Sequence, residues 1–543
     1  MSSTMLLKTM CIKKCLYGCI NRKTSERRLV RWFVLSMATA VLKYGAIIAA
    51  LTVCGLLLYL AEYRSIIRLG DLKIDLQTGS QGHLENVEDH AFNGKYNAEK
   101  VSFHVDKYNL TNEVLELKGS FYGTNQSEVK TVKIHGLSNL INQAKPFIVA
   151  DDKLEQSDLE KERFFKVDRL VKEVNCNAII HGDKNETKKA ENISESQPKT
   201  GVKPEQYIKL AKNCSHFISE RGYITDSLTE VEKNFHIAFS LLMFKDIEQS
   251  ERLLRAIYRP QNFYCIHVDK KTSDDIFKAM SYIADCFENV FISSKRFDVQ
   301  WGTMTVLEPD LSCMEELWNK SITWRYFINL TGQEFPLRTN YELVQILKAY
   351  NGANDLEATV KHVNKGRWEG VGPPPHGIVP IKGSVHIVAS RGFVDYVLHD
   401  QRAHDLLNWT RYTKVPDETL FASLNHNPSL GVPGSYKGYP ETDMKDDIKP
   451  FVARFKNWGA GKYNWPCHGQ RVRLVCVFGT GDLPLIASRR ELFANKFYLT
   501  SHHFALDCIE ELHFNHTRDE YLGKLAFDPS WYVQLGFVRN RVN

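Results

Sequence analysis

Two apolar runs on either side of an amphipathic stretch, within residues 236–270, constrain the fold of this chain more than any other feature. The first run, HIAFSLLMF at 236–244, has the length of a strand that is buried on both faces. Helical spacing of apolar residues follows, and Pro260 marks its end. The second run, NFYCIHVD at 262–269, is rich in aromatic and β-branched residues. Strand, helix and strand together predict a crossover unit of a parallel sheet, with Asp269 at the strand end where such sheets bind ligands.

The alternation of strand and helix patterns continues after this unit. Further strands are predicted at 289–294, 324–330 and 472–479, helices at 301–318 and 341–350, and a turn at 332–336. The stretch GVGPPPHG at 370–377 is predicted to be an irregular loop of the kind that carries binding residues. The pattern therefore predicts an α/β fold with a mostly parallel sheet.

The amino-terminal region predicts a membrane anchor. Residues 1–43 hold nine Lys or Arg and one acidic residue, and the apolar stretch 44–63 is just long enough to span a bilayer. A cleaved signal peptide is the alternative, but the long basic lead and the lack of a small-residue cleavage site disfavour it. The positive charge places the amino terminus in the cytosol and everything after residue 63 in a lumen. Because the rest of the chain is close to neutral, a nucleic-acid partner is not expected.

Five segments follow from these patterns. They are a basic cytosolic tail at 1–43, a signal anchor at 44–63, a lumenal stem or accessory region at 64–205, a catalytic domain at 206–515 and a carboxyl-terminal tail at 516–543. The stem is polar and shows strand-like alternation near 114–122.

Cysteine and sequon placement agrees with a lumenal domain. Eight cysteines follow the apolar stretch, and this even number predicts four disulfides. The sequence contains no Cys-x-x-Cys pair, so a metal site is not indicated. Nine Asn-x-Ser/Thr sequons also follow it: Asn109, Asn125, Asn185, Asn192, Asn213, Asn319, Asn329, Asn408 and Asn515.

Motifs distributed over residues 174–512 resemble one enzyme family. They include RLLRAIYRPQNFYCIHVDKK, INLTGQEFPLRTN, VPDETLFASL, VARFKNW, VRLVCVFGTGDL and LFANKF. In this order they resemble the β-1,6-N-acetylglucosaminyltransferases that branch mucin-type O-glycans, the core 2 and I-branching enzymes. The resemblance implies a type II Golgi membrane protein with a GT-A-like fold, which uses UDP-GlcNAc by an inverting route that needs no metal.

The resemblance also implies roles for individual residues. Donor binding is implied for Asp269, Trp301, Arg473 and Lys496, acceptor binding for Glu357, Arg367 and Trp458, and the role of catalytic base for Glu418. The implied disulfides are Cys176 with Cys508, Cys214 with Cys286, Cys265 with Cys313, and Cys467 with Cys476. Two acceptor positions depart from the family pattern: Asn364 falls where a lysine is expected, and Ala460 where a tyrosine is expected.

The chemistry of sugar transfer is consistent with these roles. A base must take the proton of the acceptor hydroxyl, and positive charge must balance the departing diphosphate. No Asp-x-Asp occurs in the sequence, and the acidic triplet at 355–357 falls at an acceptor position. Arginine and lysine side chains such as Arg473 and Lys496 can replace a metal ion at the diphosphate.

Each assignment has a structural alternative. Without the resemblance, Arg473 and Lys496 would be interpreted as solvated surface charges and Trp458 as a core residue. Asp269 would be interpreted as the cap of a turn and Glu418 as a residue at the start of a helix. His236 and His267 are interpreted as core histidines rather than ligands. For the whole protein, the alternatives are a related transferase of another UDP-sugar, such as xylose or glucose, and a lumenal sugar-binding protein without turnover.

Overall fold

The computed structural model describes residues 165, 167–197, 199–361, 363–441, 451–459 and 465–543, together with the backbone of four strands between residues 74 and 135. The chain divides into two compact units, Met1–Gln156 and Ser157–Asn543. The predicted cytosolic tail at 1–43 and the predicted anchor at 44–63 lie outside the described residues. Among the helices of the described ranges, none is both long and apolar enough to cross a membrane.

The first unit contains a four-stranded antiparallel sheet in the order β1-β4-β3-β2. Its strands are β1 (Ile74–Thr78), β2 (Ser102–Leu110), β3 (Val114–Tyr122) and β4 (Ser127–His135). The alternation predicted near 114–122 is confirmed as β3.

A six-stranded sheet with the order β10-β11-β8-β5-β6-β7 forms the centre of the second unit. Its strands are β5 (His236–Met243), β6 (Phe263–Val268), β7 (Val290–Ile292), β8 (Trp324–Thr331), β10 (Asp355–Thr359) and β11 (Lys382–Ser390). The pairs β8-β5, β5-β6 and β6-β7 are parallel, whereas β10-β11 and β11-β8 are antiparallel. The prediction of an α/β fold with a mostly parallel sheet is thus confirmed for this sheet.

The second unit also contains helices. In chain order they are α1 (Cys176–Ile180), α2 (Lys184–Ser196), α3 (Pro204–Ala211), α4 (Cys214–Arg221), α5 (Glu230–Lys233), α6 (Ile247–Ile257), α7 (Asp274–Ala284), α8 (Glu308–Lys320), α9 (Asn340–Tyr350), α10 (Arg391–His399), α11 (Gln401–Thr410), α12 (Leu420–Asn425), α13 (Leu483–Ala487), α14 (His503–Tyr521), α15 (Ser530–Val533) and α16 (Gly536–Arg539).

The crossover unit β5-α6-β6 forms as the sequence predicts. The Asp246 carboxylate accepts a hydrogen bond from the Gln249 backbone N–H at 3.2 Å, which caps the first turn of α6. Leu253 and Leu254 of this helix are fully buried in the core that covers one face of the sheet. Each buried leucine contributes about 1.5–3 kcal/mol of transfer free energy, so the apolar face of α6 is a main reason why it packs on β5 and β6.

The second unit also contains two small sheets. The strands β12 (Arg454–Lys456), β15 (Phe493–Asn495) and β9 (Glu334–Pro336) form one, in the order β12-β15-β9. The strands β13 (Gln470–Val472) and β14 (Val475–Val477) form an antiparallel hairpin.

One local prediction is wrong. The segment 472–479 is not one long strand, because Arg473 and Leu474 adopt positive φ angles of 51° and 69° and reverse the chain. This segment is apolar enough for a strand, and the tertiary pairing decides where its strands begin and end. The turn predicted at 332–336 is confirmed for residues 332 and 333, and its last three residues form β9, which pairs with β15.

The four disulfides join the cysteine pairs that the family resemblance implies. They are Cys176 with Cys508, Cys214 with Cys286, Cys265 with Cys313, and Cys467 with Cys476. The first pair has a sequence separation of 332 and joins α1 to α14. Disulfides contribute up to about 5 kcal/mol to the free energy of unfolding, and the contribution is larger for longer loops.

The structural unit extends beyond the predicted limits 206–515 at both ends. Val174 and Ile179, which were predicted to belong to the stem, are buried in the same core as α14. Tyr532 and Phe537, which were predicted to belong to a tail, are buried in the main core. The apolar side chains that carry these contacts are too sparse along the chain to show a boundary by periodicity.

One sequon is a structural residue. The Asn329 side chain is 2% exposed, and its Nδ2 donates to Asp310 Oδ2 and to the Val385 carbonyl, both at 2.8 Å. Its buried amide is not accessible to a glycosylating enzyme in the folded state.

Candidate active site

Asp269 lies at the carboxyl end of β6, where the crossover unit predicts a ligand. Its carboxylate accepts hydrogen bonds from the Lys271 backbone N–H at 2.8 Å and from Lys271 Nζ at 3.0 Å. The same ammonium group donates to Asp298 Oδ1 at 2.8 Å. Lys271 therefore ties the end of β6 to the loop that leads to Trp301, and Asp269 caps this turn while it lies at the ligand-binding edge of the sheet.

Trp301 and Arg473 meet at this edge although they are far apart in sequence. The Trp301 side chain is 70% exposed, and Arg473 Cζ lies 5.6 Å from the centroid of its ring. The helix predicted for 301–318 begins later than predicted, with a 3-10 turn at Met304–Val306 that is followed by α8. Trp301 therefore lies in the loop before this turn. An exposed indole beside a guanidinium offers a stacking surface for a planar base and a planar donor for phosphate oxygens.

Arg473 is presented at the tip of the β13-β14 hairpin. Positive φ at both Arg473 and Leu474 is the backbone pattern of a two-residue type I′ turn, which ordinarily favours Asn and Gly. The Arg471 guanidinium supports this turn, because it donates to the carbonyls of Leu474 and Asn457 at 3.1 Å and of Trp465 at 3.2 Å. Strain of this kind persists where surrounding contacts hold the backbone in place.

Lys496 is presented by the element next to this hairpin. It directly follows β15, which pairs in parallel with β12. The Lys496 carbonyl accepts a hydrogen bond from the Phe478 backbone N–H at 2.9 Å, directly after β14. Both predicted diphosphate cations are thus carried by adjoining segments of the chain.

Glu418 lies at the end of a 3-10 turn, Pro416–Glu418, that precedes α12. Its Oε2 lies 2.5 Å from Arg367 Nη1 and 3.9 Å from Lys382 Nζ, and all three side chains are partly buried. A carboxylate held by a charge-assisted hydrogen bond has a defined direction. The contact with Arg367 therefore fixes the direction of the Glu418 carboxylate.

The preceding residue, Asp417, is the second acidic group at this position. Its side chain is 7% exposed, and its Oδ1 has no hydrogen-bond partner among the described residues. Burial raises the pKa of Asp417 to about 7, and the neighbouring Glu418 carboxylate adds to the increase. The Val415 backbone N–H donates to the Gly302 carbonyl at 3.1 Å, which places this segment beside the Trp301 loop.

Glu357 of β10 belongs to a second group of polar side chains, which shares Lys382 with Glu418. Its Oε2 lies 3.3 Å from Lys456 Nζ, and Lys456 also donates to Ser384 Oγ at 3.0 Å. Burial by itself would raise the pKa of Glu357, but the ammonium groups of Lys456 and Lys382 outweigh it and hold the pKa below its ordinary value. Lys456 Nζ lies 5.6 Å from the ring centroid of Trp458, which is 45% exposed and so is not only a core residue.

A network of polar side chains joins the strands β9, β12 and β15 to β8. Glu334 of β9 accepts from Arg454 Nε and from Asn495 Nδ2, both at 3.0 Å, and Arg454 also donates to the Asn329 carbonyl. Because these groups are paired, and Glu334, Arg454 and Asn329 are also buried, the network fixes the positions of β9, β12 and β15 relative to β8. The residue that follows Asn495 is Lys496, so the network also sets where this cation emerges.

The structure supplies two lysines that sequence reasoning missed. Asn364 stands at the position of the expected acceptor lysine and caps a short turn through the Gly366 N–H, while Lys382 of β11 approaches Glu418 beside Arg367. Lys456 stands inside the motif VARFKNW but was not singled out there. Ala460 lies outside the described residues.

The two histidines interpreted as core residues are hydrogen-bonded within the protein. His267 Nε2 accepts from the Phe297 N–H at 3.0 Å, and burial lowers the pKa of His267 to about 4. His236 contacts Thr323 Oγ1 at 2.7 Å and the Lys233 carbonyl at 3.0 Å.

One group of metal-ligating residue types occurs in the described part of the chain, formed by Cys467, Cys476 and Asp482. Its two cysteines are joined in a disulfide, and a disulfide sulfur is not the thiolate that binds metal ions. This group therefore does not fit a metal site in the oxidised protein.

Comparison with known proteins places this geometry in a family. The model of the Core-2/I-Branching enzyme family matches residues 237–487. A beta-1,3-galactosyl-O-glycosyl-glycoprotein beta-1,6-N-acetylglucosaminyltransferase of Homo sapiens is 37% identical over 376 residues, which cover 64% of this chain and 87% of that protein.

Two further relatives bear the same kind of name. The human protein with this name and the number 3 is 36% identical, over 62% of this chain and 82% of the relative. The protein of this name from Bovine herpesvirus 4 is 34% identical over the same shares. Identity at this level over most of each relative shows common descent, and the chain belongs to the Core-2/I-Branching enzyme family.

Proposed function

We propose that this chain is an inverting glycosyltransferase, which moves GlcNAc from UDP-GlcNAc in β-1,6 linkage to galactose or GalNAc of a mucin-type O-glycan. The names of its relatives support this donor and linkage. The observation that carries the proposal is the convergence of Glu418 with Arg367, beside the loop of Trp301 and the Arg473 hairpin. One edge of the domain thereby holds a base and a surface suited to a nucleotide.

In the proposed reaction Glu418 takes the proton of the acceptor hydroxyl as that oxygen bonds to the sugar C1. The bond between C1 and the UDP oxygen breaks, and its electron pair leaves with the diphosphate. Arg473 and Lys496 balance the negative charge that forms there. A single displacement inverts the configuration at C1, which gives a β linkage from an α-linked donor. Glu357, Arg367 and Trp458 bind the acceptor.

We propose that the transfer needs no divalent metal. The sequence contains no Asp-x-Asp, and the two cations are carried by adjoining elements. Activity is expected to survive EDTA, measured as GlcNAc transfer before and after dialysis against the chelator. Loss of transfer in EDTA that manganese restores would contradict this proposal.

The proposed setting is the Golgi membrane, with the catalytic domain in the lumen and the GT-A-like fold of nucleotide-sugar enzymes. Four disulfides support an oxidising compartment. The basic amino-terminal residues followed by the apolar stretch 44–63 support a single-pass anchor.

The proposed function is tested by offering purified protein a panel of UDP-sugars with β-1,3-galactosyl-GalNAc glycosides as acceptors. Transfer of GlcNAc to a 6-hydroxyl is expected, with Glu418→Gln as the inactive control. Transfer of xylose or glucose instead would identify a related transferase. Binding of acceptor without any transfer would identify a lumenal sugar-binding protein.

A further inference from the structure

Lys456 is a buried cation that joins the elements of the acceptor side of the site. It ends β12 of the small sheet, whereas its two hydrogen-bond partners lie on β10 and β11 of the six-stranded sheet. Its side chain is 11% exposed and that of Glu357 is 19% exposed. A pair of this kind is shielded from salt and water, and removal of one partner leaves the other charge unbalanced.

Two residues with implied acceptor roles contact the same ammonium group. Lys456 Nζ lies 3.3 Å from Glu357 Oε2 and 5.6 Å from the centroid of the Trp458 ring. Ser384 Oγ accepts a third contact at 3.0 Å, which fixes the direction of the ammonium group. The carboxylate and the indole are therefore oriented by one side chain, which comes from a strand remote from β10 in sequence.

We propose that Lys456 is the positioning residue of the acceptor site, and that it orients Glu357 and Trp458 for a hydroxyl-rich sugar without contacting the donor. This inference rests on the proposed function. One oxygen of Glu357 is held by the ammonium group, so the carboxylate has a fixed direction when it accepts hydrogen bonds from sugar hydroxyls. The donor residues Arg473 and Lys496 do not take part in these contacts.

Lys456→Met tests this inference, because methionine has a similar length and no charge. The KM for a β-1,3-galactosyl-GalNAc glycoside is expected to rise about tenfold, whereas kcat and the KM for UDP-GlcNAc stay within about twofold of wild type. Lys456→Arg keeps the charge and is expected to recover most of the acceptor affinity. An unchanged acceptor KM in Lys456→Met would overturn the inference. An equal increase in the KM for UDP-GlcNAc and the KM for the glycoside would also overturn it.

A mutant cycle shows whether Lys456 acts through Glu357. Lys456→Gln is expected to raise the acceptor KM of the wild type by a larger factor than it raises that of Glu357→Gln, because in the second background only the contact with Trp458 is left to lose. Equal factors in the two backgrounds would show that Lys456 acts independently of Glu357 and would overturn the inference. The melting temperature shows whether Lys456→Met folds. If it does not, the comparison of Glu357→Gln with the double variant Glu357→Gln/Lys456→Gln, in which position 357 carries no charge, still tests the inference.

The matched control is Lys295→Met. Lys295 Nζ lies 3.5 Å from Glu315 Oε2, but both side chains are about 60% exposed, and this surface pair is expected to leave every kinetic constant unchanged. Failure of the inference differs from failure of the proposed function. If full-length wild-type protein neither transfers GlcNAc nor binds the glycoside by calorimetry, the proposed function fails. If the wild type does both and Lys456→Met has the same acceptor KM, only the inference fails.

Discussion

Glu418 and Glu357 are both held by cations of the protein, but in different ways. Glu418 is paired with Arg367 from the loop after β10, next to the Trp301 loop. Glu357 is paired with Lys456, which also contacts Ser384 and Trp458. In the proposed site, Glu418 lies next to the Trp301 loop of the donor side, and Glu357 lies among the residues proposed to bind the acceptor. This difference supports the assignment of Glu418, rather than Glu357, as the base.

Substitution of these two carboxylates should therefore have different effects. Glu418→Gln keeps the size and hydrogen bonding of the side chain but cannot take a proton, so kcat is expected to fall by a factor on the order of 10² to 10⁴ while UDP binding persists. Glu357→Gln is expected mainly to raise the acceptor KM. Steady-state kinetics with calorimetry of UDP binding check both results. Near-normal turnover of Glu418→Gln, with an inactive Glu357→Gln at saturating acceptor, would reverse the assignment.

Asp417 predicts a pH dependence of stability. The pKa of Asp417 is about 7 in the folded protein and about 4 when unfolded, so the folded protein keeps this proton between those values. The contribution of Asp417 to the free energy of unfolding therefore falls as the pH rises from about 4 to 7. Asp417→Asn is expected to match the wild type near pH 4 and to exceed its stability above pH 7, by at most about 4 kcal/mol.

Denaturant unfolding at several pH values measures this difference. The control is Asp285→Asn, which alters an exposed aspartate at the end of α7, and its stability relative to wild type should not grow with pH. A constant difference between Asp417→Asn and wild type across this range would show that the Asp417 carboxyl is not buried in its neutral form.

At the scale of elements, the hairpin β13-β14 places Arg473 in its two-residue turn, within a segment that is otherwise mostly apolar. Its two turn residues have side chains that disfavour positive φ, so the conformation depends on outside contacts. The Arg471 guanidinium supplies three of them, to the carbonyl of Leu474 in the turn and to the carbonyls of Asn457 and Trp465, which precede the hairpin. A disulfide between Cys467 and Cys476 also closes the loop at its base.

Removal of the Arg471 guanidinium should misplace Arg473 without unfolding the domain. Arg471→Met is expected to lower kcat between about 10- and 100-fold, because Arg473 is proposed to hold the diphosphate and a shift of about 1 Å in such a group has effects of this size. Its affinity for UDP should fall as well, whereas its melting temperature should stay close to that of the wild type.

Arg518→Met is a suitable comparison, because Arg518 pairs with Asp519 on α14 outside the hairpin. Kinetics and UDP calorimetry on both variants separate the two sites. Wild-type kcat and UDP affinity in Arg471→Met would mean that the backbone of the turn holds Arg473 by itself.

At the scale of the whole molecule, the catalytic unit begins well before its first strand. The Phe165 ring lies 5.6 Å from that of Phe514 and 5.9 Å from that of Tyr521, both on α14. Arg169 donates to the Arg221 carbonyl. These contacts join the segment before α1 to two helices of the second unit.

Truncation at two positions tests this boundary. A protein that begins at Ser157 is expected to fold and to retain full activity, because it keeps the second unit complete. A protein that begins at Val171 lacks Phe165 and Arg169 and should melt a few degrees lower with unchanged kcat, since the lost contacts lie on α14 and α4. Thermal unfolding and GlcNAc transfer by both proteins decide this. Equal melting temperatures would place the boundary after Arg169.

The sequence by itself determined the crossover unit and the α/β class, because strands and helices follow from the short-range periodicity of apolar residues. The family followed from the resemblance of its motifs. Its motifs also led to Asp269, Glu418 and Arg473, although their roles remain predictions. Only the tertiary structure decided the break at Arg473-Leu474 and the approach of Lys382 and Lys456 to Glu418 and Glu357. These depend on which strands become neighbours, and a lysine that pairs with a carboxylate far along the chain has the same local sequence pattern as one in solvent.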